Sequence, residues 1–227
     1  MPSVFITGSN RGIGLEFARQ YAAEGWRVFA TCRNPERAKD LKAIEGDIHL
    51  HALDIADFDA IDALARKLKD EPIDLLIKNA AIYGPDEQSL RDLDYDGWME
   101  TFRINCMAQV RLAQAFVGHV AKSELKRMVA LTSRMGSIAD NTSGSAYVYR
   151  TTKAALNAAV KSLAVDLAPW GIAVAVVHPG WVATDMGGSG ARLSTEKSVK
   201  AMRKTIDRLG PEHAGRFFSW DESEIPW

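Results

Sequence analysis

Short β-rich apolar runs alternate with helix-patterned stretches along the whole chain, and this alternation restricts the fold more than any other feature. Val4–Thr7, Arg27–Thr31, Ile48–Leu53, Ile73–Ile77, Met128–Thr132 and Ile172–Val177 read as strands. Between them, Ile13–Ala23 carries Ile13, Phe17 and Tyr21 at i, i+4 and i+8, the period of one helix face. Asn34 and Pro35 mark the start of a second helix, as N-cap and first helical residue. Further helices are expected over Phe58–Leu68, Trp98–Val120, Tyr147–Leu167 and Glu196–Arg208, with a last short strand near Phe217–Trp220. Repeated βαβ units can close only as a parallel sheet with helices on both faces. Ile73–Ile77 is apolar at almost every position, as a strand buried on both sides requires. No linker, repeat or low-complexity block interrupts the pattern, so residues 1–227 read as a single α/β domain.

The first predicted strand runs straight into Thr7-Gly8-Ser9-Asn10-Arg11-Gly12-Ile13-Gly14. Glycines at a strand-to-helix turn let the backbone approach a pyrophosphate, and the helix start supplies free N–H groups and the positive end of a dipole. The spacing is G-x-x-x-G-x-G rather than G-x-G-x-x-G. A carboxylate for adenosine ribose hydroxyls is expected about twenty residues further on. Here the second strand ends in Thr31-Cys32-Arg33, and a second arginine, Arg11, lies in the glycine loop. Guanidinium groups pair bidentately with phosphate, so the pattern predicts NADP(H) rather than NAD(H).

Tyr149 and Lys153 lie at i and i+4, on one face of a predicted helix, which places a phenol near an ammonium. A nearby cation favours the phenolate and lowers an ordinary pKa of ~10, fitting the phenol for acid–base work. His49 and His51 have no partners at metal-ligand spacing, and no metal site is expected. Cys32 and Cys106 form no redox pair by spacing, which reads as free thiols in a reducing compartment. Lys and Arg number 28 against 29 Asp and Glu, so nothing points to nucleic acid or an anionic membrane as partner. The N-terminal apolar run is too short for a signal or membrane segment, and a cytoplasmic location is the expectation.

Taken together, these residues resemble the short-chain dehydrogenase/reductase family over nearly the whole chain, within it the C-factor and sniffer-type carbonyl reductase branch. Thr7-Gly8-x-x-x-Gly12-x-Gly14 is similar to the family's cofactor loop, Asn79-Ala80-Ala81 to its N-A-G segment and Pro179-Gly180-x-x-x-Thr184 to its nicotinamide-binding segment. Arg134-Met135-Gly136-Ser137-Ile138, Tyr149-Arg150-x-x-Lys153-Ala154-Ala155-Leu156-Asn157, His178-Pro179-Gly180-Trp181, Thr184-Asp185-Met186-Gly187-Gly188 and Pro226-Trp227 carry the likeness to the branch. The resemblance implies a Rossmann-type domain and an NADP-dependent oxidoreductase acting on a small carbonyl compound. It also implies a homodimer or homotetramer, for which Ala154, Ala155, Ala158 and Ala159 offer a close-packing face; packing within the chain is the alternative. A signalling or regulatory protein that binds NADP(H) and hardly turns over is the rival reading.

By the same resemblance, Ser133, Tyr149, Lys153 and Asn105 form the catalytic set, Tyr149 as proton donor, Ser133 as partner of the substrate oxygen and Asn105 as holder of a water that resupplies protons through Lys153. Gly8, Asn10, Arg11, Gly12, Ile13, Gly14, Arg33, Asp54, Ile55, Asn79, Ala80, Ala81, Pro179, Gly180, Val182 and Thr184 would contact the cofactor, with Tyr149 and Lys153 at its nicotinamide end. Three departures stand out: Lys78 replaces an Asn, Ala81 replaces a Gly, and sixteen residues separate Ser133 from Tyr149. Ser137, twelve residues before Tyr149, is the rival serine; Ser133 is preferred because it ends the fifth predicted strand. Trp181, Met186, Met135 and Ile138 offer apolar surface for an uncharged ketone, aldehyde or quinone, and Gly187–Gly190 is a candidate mobile loop.

Overall fold

The computed structural model describes residues 1–227. Its elements run β1 (Ser3–Thr7), α1 (Gly12–Ala23), β2 (Arg27–Cys32), α2 (Lys39–Lys42), β3 (Ile48–Ala52), α3 (Phe58–Lys67) and β4 (Leu75–Lys78). A small hairpin follows, β5 (Gln88–Ser89) with β6 (Asp92–Leu93), then α4 (Tyr95–Phe102), α5 (Ala108–Ala121), β7 (Arg127–Leu131), α6 (Tyr147–Leu167), β8 (Ala173–His178), α7 (Thr195–Ile206) and β9 (Phe217–Ser219). Seven strands form one parallel sheet in the order β3-β2-β1-β4-β7-β8-β9. Successive side chains alternate between its faces. Phe5, Leu76 and Met128 pack under α3, α5 and α6, while Ile6, Ile77 and Val129 pack under α1, α2 and α7. The strand order reverses between β1 and β4, and ligands of open α/β sheets bind in the crevice at such a switch point.

Helix starts follow local chemistry where a cap is at hand. Asp57 accepts from the Ala60 N–H at 3.0 Å, Asp94 from Gly97 at 3.0 Å and Ser194 from Lys197 at 3.2 Å. Asn34 makes no such bond, and the segment after Pro35 is a 3₁₀ turn (Pro35–Arg37) followed by the single turn of α2 instead of a full helix. The helix expected over Trp98–Val120 starts earlier, at Tyr95, and is interrupted by a π-helical segment, Arg103–Met107. The fourth strand starts later than expected because Asp74 is diverted: its carboxylate accepts from the Ser3 N–H at 2.8 Å and from the Glu124 N–H at 3.1 Å. Ala158 is exposed, and Ala154, Ala155 and Ala159 are half-buried, so the small-residue face of α6 is not wholly core. No helix is long and apolar enough to cross a membrane.

Candidate active site

The β1–α1 turn is shaped by close backbone contacts. Gly8 and Gly12 adopt φ +69° and +56°, a region that glycine enters without penalty. At Gly14 a Cβ would stand 2.2 Å from the Gly8 carbonyl oxygen and 2.6 Å from Asn79 Nδ2. Asn79 holds this turn from β4: its Nδ2 donates to the Thr7 carbonyl at 2.8 Å and the Gly8 carbonyl at 3.2 Å. Thr7 Oγ1 returns the favour by accepting from the Asn79 and Ala80 N–H groups, both at 3.0 Å. The Asn79 side chain is therefore occupied in building the loop.

Above the turn lies a cleft of about 520 Å³. It is lined by Gly8, Asn10, Arg11, Gly12, Ile13, Arg33, Asp54, Ile55, Asn79, Ala80, Ala81, Pro179, Thr184, Tyr149 and Lys153, most of the residues expected at the cofactor. Gly180 and Val182 line a second pocket, of about 340 Å³, which shares Ile13, Tyr149, Pro179 and Thr184 with the first; at Gly180 the chain turns at φ +85° against Leu193 and Trp220. Gly14 is packed beneath the cleft. Arg33 is exposed at the cleft edge. Arg11 instead pairs with Asp185 at 2.8 Å across the cleft mouth, through two well-exposed side chains. Such a pair is worth at most ~1 kcal/mol, so a phosphate can compete for the guanidinium. No three His, Cys, Asp or Glu side chains stand together so as to hold a metal ion.

Tyr149 lies where the two pockets meet, and Ser133 lines the second. Burial pushes the Tyr149 phenol up to about 12, with the Ser133 hydroxyl beside it pulling the other way and Tyr83 adding to the rise. Burial also pushes the Lys153 ammonium down to about 8. Lys153 Nζ donates to the Leu131 carbonyl at 3.0 Å and stands 5.7 Å from the centroid of the Tyr149 ring. Any depression of the phenol by the ammonium is outweighed here: the charge is held at a strand-end carbonyl, and removal from water dominates both groups. A phenol near 12 stays protonated through the physiological range, which is the form that gives a proton.

Ser137 is committed elsewhere. Its hydroxyl donates to the Pro226 carbonyl at 2.5 Å and accepts from the Asp140 N–H at 3.1 Å, tying the chain's last residues to the segment after β7. Asn105 sits in the π-helical segment, 1% exposed, and lines neither pocket. Its Oδ1 accepts from the Ile82 N–H at 3.0 Å, and its Nδ2 donates to the Ile82 carbonyl at 2.8 Å and Thr152 Oγ1 at 3.2 Å. Both amide hydrogens are donated, so the side chain clamps the segment after β4 to α6.

The second pocket is walled by Tyr83, Met135, His178, Trp181 and Met186, largely apolar surface as expected. Ile138 does not line it, and is exposed. Burial pushes His178 down to about 4, with Arg134 adding to the fall and Asp221 opposing, so the imidazole is neutral. The Gly187–Gly190 stretch is pinned: Gly188 N–H donates to the Thr184 carbonyl at 3.0 Å and Trp181 Nε1 to Gly187 at 2.8 Å. Sequence reasoning missed Tyr83, whose ring lies 4.9 Å from that of Tyr149, and Gln88, buried in the hairpin beside it. Both fall in a polar loop without periodicity.

A family model for short chain dehydrogenases matches residues 2–192. The chain is 46% identical to the C-signal of Myxococcus xanthus over 165 residues, 73% of this chain and 99% of that protein. Among solved structures, the carbonyl reductase Sniffer of Drosophila melanogaster superposes with TM-score 0.92 at 36% identity, covering all of both chains. An NADPH-bound carbonyl reductase from chicken fatty liver superposes with TM-score 0.92 at 31% identity, covering 100% of this chain and 99% of that one.

Proposed function

Since the chain belongs to the short chain dehydrogenase family, we propose that it is an NADPH-dependent reductase of uncharged ketones, aldehydes or quinones. The observation that carries this reading is the placement of Tyr149 at the junction of two pockets, one built for a nucleotide and one apolar. The glycine cradle fits a dinucleotide, because a side chain at Gly14 would fill the turn. NADP-bound carbonyl reductases among the superposable structures support the choice of cofactor. The residues of the β1–α1 turn would hold the pyrophosphate, Arg33 and Arg11 the 2′-phosphate, and Lys153 with Pro179 and Thr184 the nicotinamide end. NADPH, when bound, supplies the hydride.

The chain's own residues do the rest. The Tyr149 phenol gives its proton to the oxygen of the carbonyl as negative charge develops there. Ser133, beside the phenol, donates to the same oxygen and stabilises that charge. Lys153, buried and positive below about pH 8, adds a field that favours the phenolate left behind. Asn105 keeps α6 fixed to the segment after β4. Tyr83, Met135, Trp181 and Met186 shelter the carbonyl from water, and the neutral His178 adds no charge to attract an ionic substrate.

The test is NADPH oxidation with a panel of aldehydes, ketones and quinones, using Tyr149→Phe and Arg33→Asp. Turnover should vanish in Tyr149→Phe while NADPH still binds, and Arg33→Asp should shift preference toward NADH. Turnover surviving in Tyr149→Phe refutes the mechanism. The 46% identity to C-signal supports a second reading, a regulatory NADP(H)-binding protein. Tight NADPH binding with no turnover on any carbonyl would favour it.

A further inference from the structure

Helix α6 begins without a cap of its own. The chain enters through Gly144, Ser145 and Ala146, all at positive φ (64°, 55° and 49°), and Ala146 at the N-cap has no side-chain acceptor. The first N–H groups of a helix lack partners, and the one on the third residue is the usual target of a capping side chain. The third residue of α6 is Tyr149. Its N–H donates at 2.8 Å to Oε1 of Gln88, which comes from the β5–β6 hairpin, 61 residues earlier in the chain. Gln88 Nε2 donates to the Tyr83 carbonyl at 3.0 Å and the Pro85 carbonyl at 2.9 Å. One side chain, 5% exposed, thus caps the helix at Tyr149 and holds the backbone of Tyr83, whose ring packs on Tyr149. The segment leading into the hairpin also packs closely at Gly84, where a Cβ would stand 2.7 Å from Thr101 Oγ1 and 3.1 Å from Val148 Cγ1.

We propose that Gln88 is a positioning residue of the active site, which fixes the phenol of Tyr149 and the Tyr83 wall of the substrate pocket relative to each other. This rests on the reading of Tyr149 as the proton donor. Gln88 touches neither the cofactor cleft nor the substrate pocket, so its effect passes through the two tyrosines. The two halves of its amide have separable duties: the oxygen sets Tyr149, and the nitrogen sets Tyr83.

The experiment compares Gln88→Leu and Gln88→Glu in the full chain. Leu removes both functions, whereas Glu keeps an acceptor for the Tyr149 N–H, at a helix start that favours negative charge, and loses both donors. Gln88→Leu should lower kcat by about 10- to 100-fold, the scale of a small misplacement of a reacting group. NADPH affinity should stay within roughly twofold. Gln88→Glu should keep most of kcat and raise KM by about fivefold, because only the Tyr83 wall is loosened. Amide hydrogen exchange at Tyr149, which needs no turnover, should quicken about tenfold or more in Gln88→Leu and stay near the parent rate in Gln88→Glu. Unchanged exchange at Tyr149 in Gln88→Leu overturns the proposal, even if the parent enzyme reduces carbonyls well. If the parent turns over no carbonyl, the exchange result alone decides for or against it. Equal losses of kcat, KM and exchange protection in both variants would mean a merely structural residue and also overturn it.

Discussion

Lys78 ends β4 with its ammonium 1% exposed and without a hydrogen-bond partner, and burial pushes it from 10.5 down to about 8. Burial is the larger influence, and the buried Cys106 opposes it. A gap between 10.5 and about 8 corresponds to about 3 kcal/mol, at ~1.4 kcal/mol per pKa unit, levied on the folded state wherever the lysine is charged. At pH 7 both folded and unfolded chains hold the proton, so the penalty is present almost in full. Between pH 8 and 10.5 the folded chain has released a proton that the unfolded chain still binds, so stability rises with pH. Replacing Lys78 by Met keeps the buried stem and removes the charge. Lys78→Met should therefore be more stable at pH 7 by about 2–3 kcal/mol, or roughly 5–10 °C in Tm for a domain of this size. It should also lose about 2 kcal/mol of the rise in stability between pH 7 and 9.5, keeping the part due to Lys153. Urea titrations of both proteins across that range are the assay. Lower stability of Lys78→Met at pH 7, or an unchanged pH slope, would show that the ammonium has a strong internal partner and would refute the reasoning.

Gly14→Ala places a methyl 2.2 Å from the Gly8 carbonyl, so the turn must open: NADPH binding should weaken by at least 100-fold and stability fall by about 1–3 kcal/mol, read by fluorescence titration and urea melts. Ser133→Ala should cut kcat about 100- to 1,000-fold with little change in Tm. Ser137→Ala should instead lower Tm by a few degrees, by releasing the Pro226 carbonyl, and leave kcat within about threefold; the reverse pattern would make Ser137 the active serine. The profile of kcat/KM, which reports the free enzyme, should fall above about pH 8 as Lys153 loses its proton, while the phenol, up to about 12, stays protonated. A flat profile to pH 9.5 would show that the lysine charge is not needed.

The parts of this molecule that were legible in its sequence are those set by neighbours in the chain. Gly8, Gly12 and Gly14 share one turn, and the turn's demands are local: two positive φ values and one contact that excludes a side chain. Tyr149 and Lys153 share a face of α6 because four residues make about one helical turn. The alternation of buried strands with helices, read from apolar periodicity, fixes a parallel sheet because a crossover admits few other packings. What the sequence concealed is set by partners far along the chain. Spacing could not separate Ser133 from Ser137, since the difference lies in the Pro226 carbonyl, 89 residues from Ser137, which occupies one hydroxyl and leaves the other beside Tyr149.

The direction of the Tyr149 shift was concealed for the same reason. An i, i+4 cation yields a lowered pKa only where its attraction outweighs the cost of taking the phenol out of water, and here the helix face carrying both groups is buried, with Lys153 drawn to the Leu131 carbonyl at the end of β7. Desolvation then raises the phenol and lowers the amine together, leaving the acid form of the one and a marginal charge on the other. On the proposed reading, such a site is poised to give a proton rather than to take one. The π-helical segment at Asn105 and the cap that Gln88 lends to Tyr149 serve that state from a distance: each spends a buried amide on holding α6 against the segments after β4. No local propensity announces either, because each amide finds its partners across the fold.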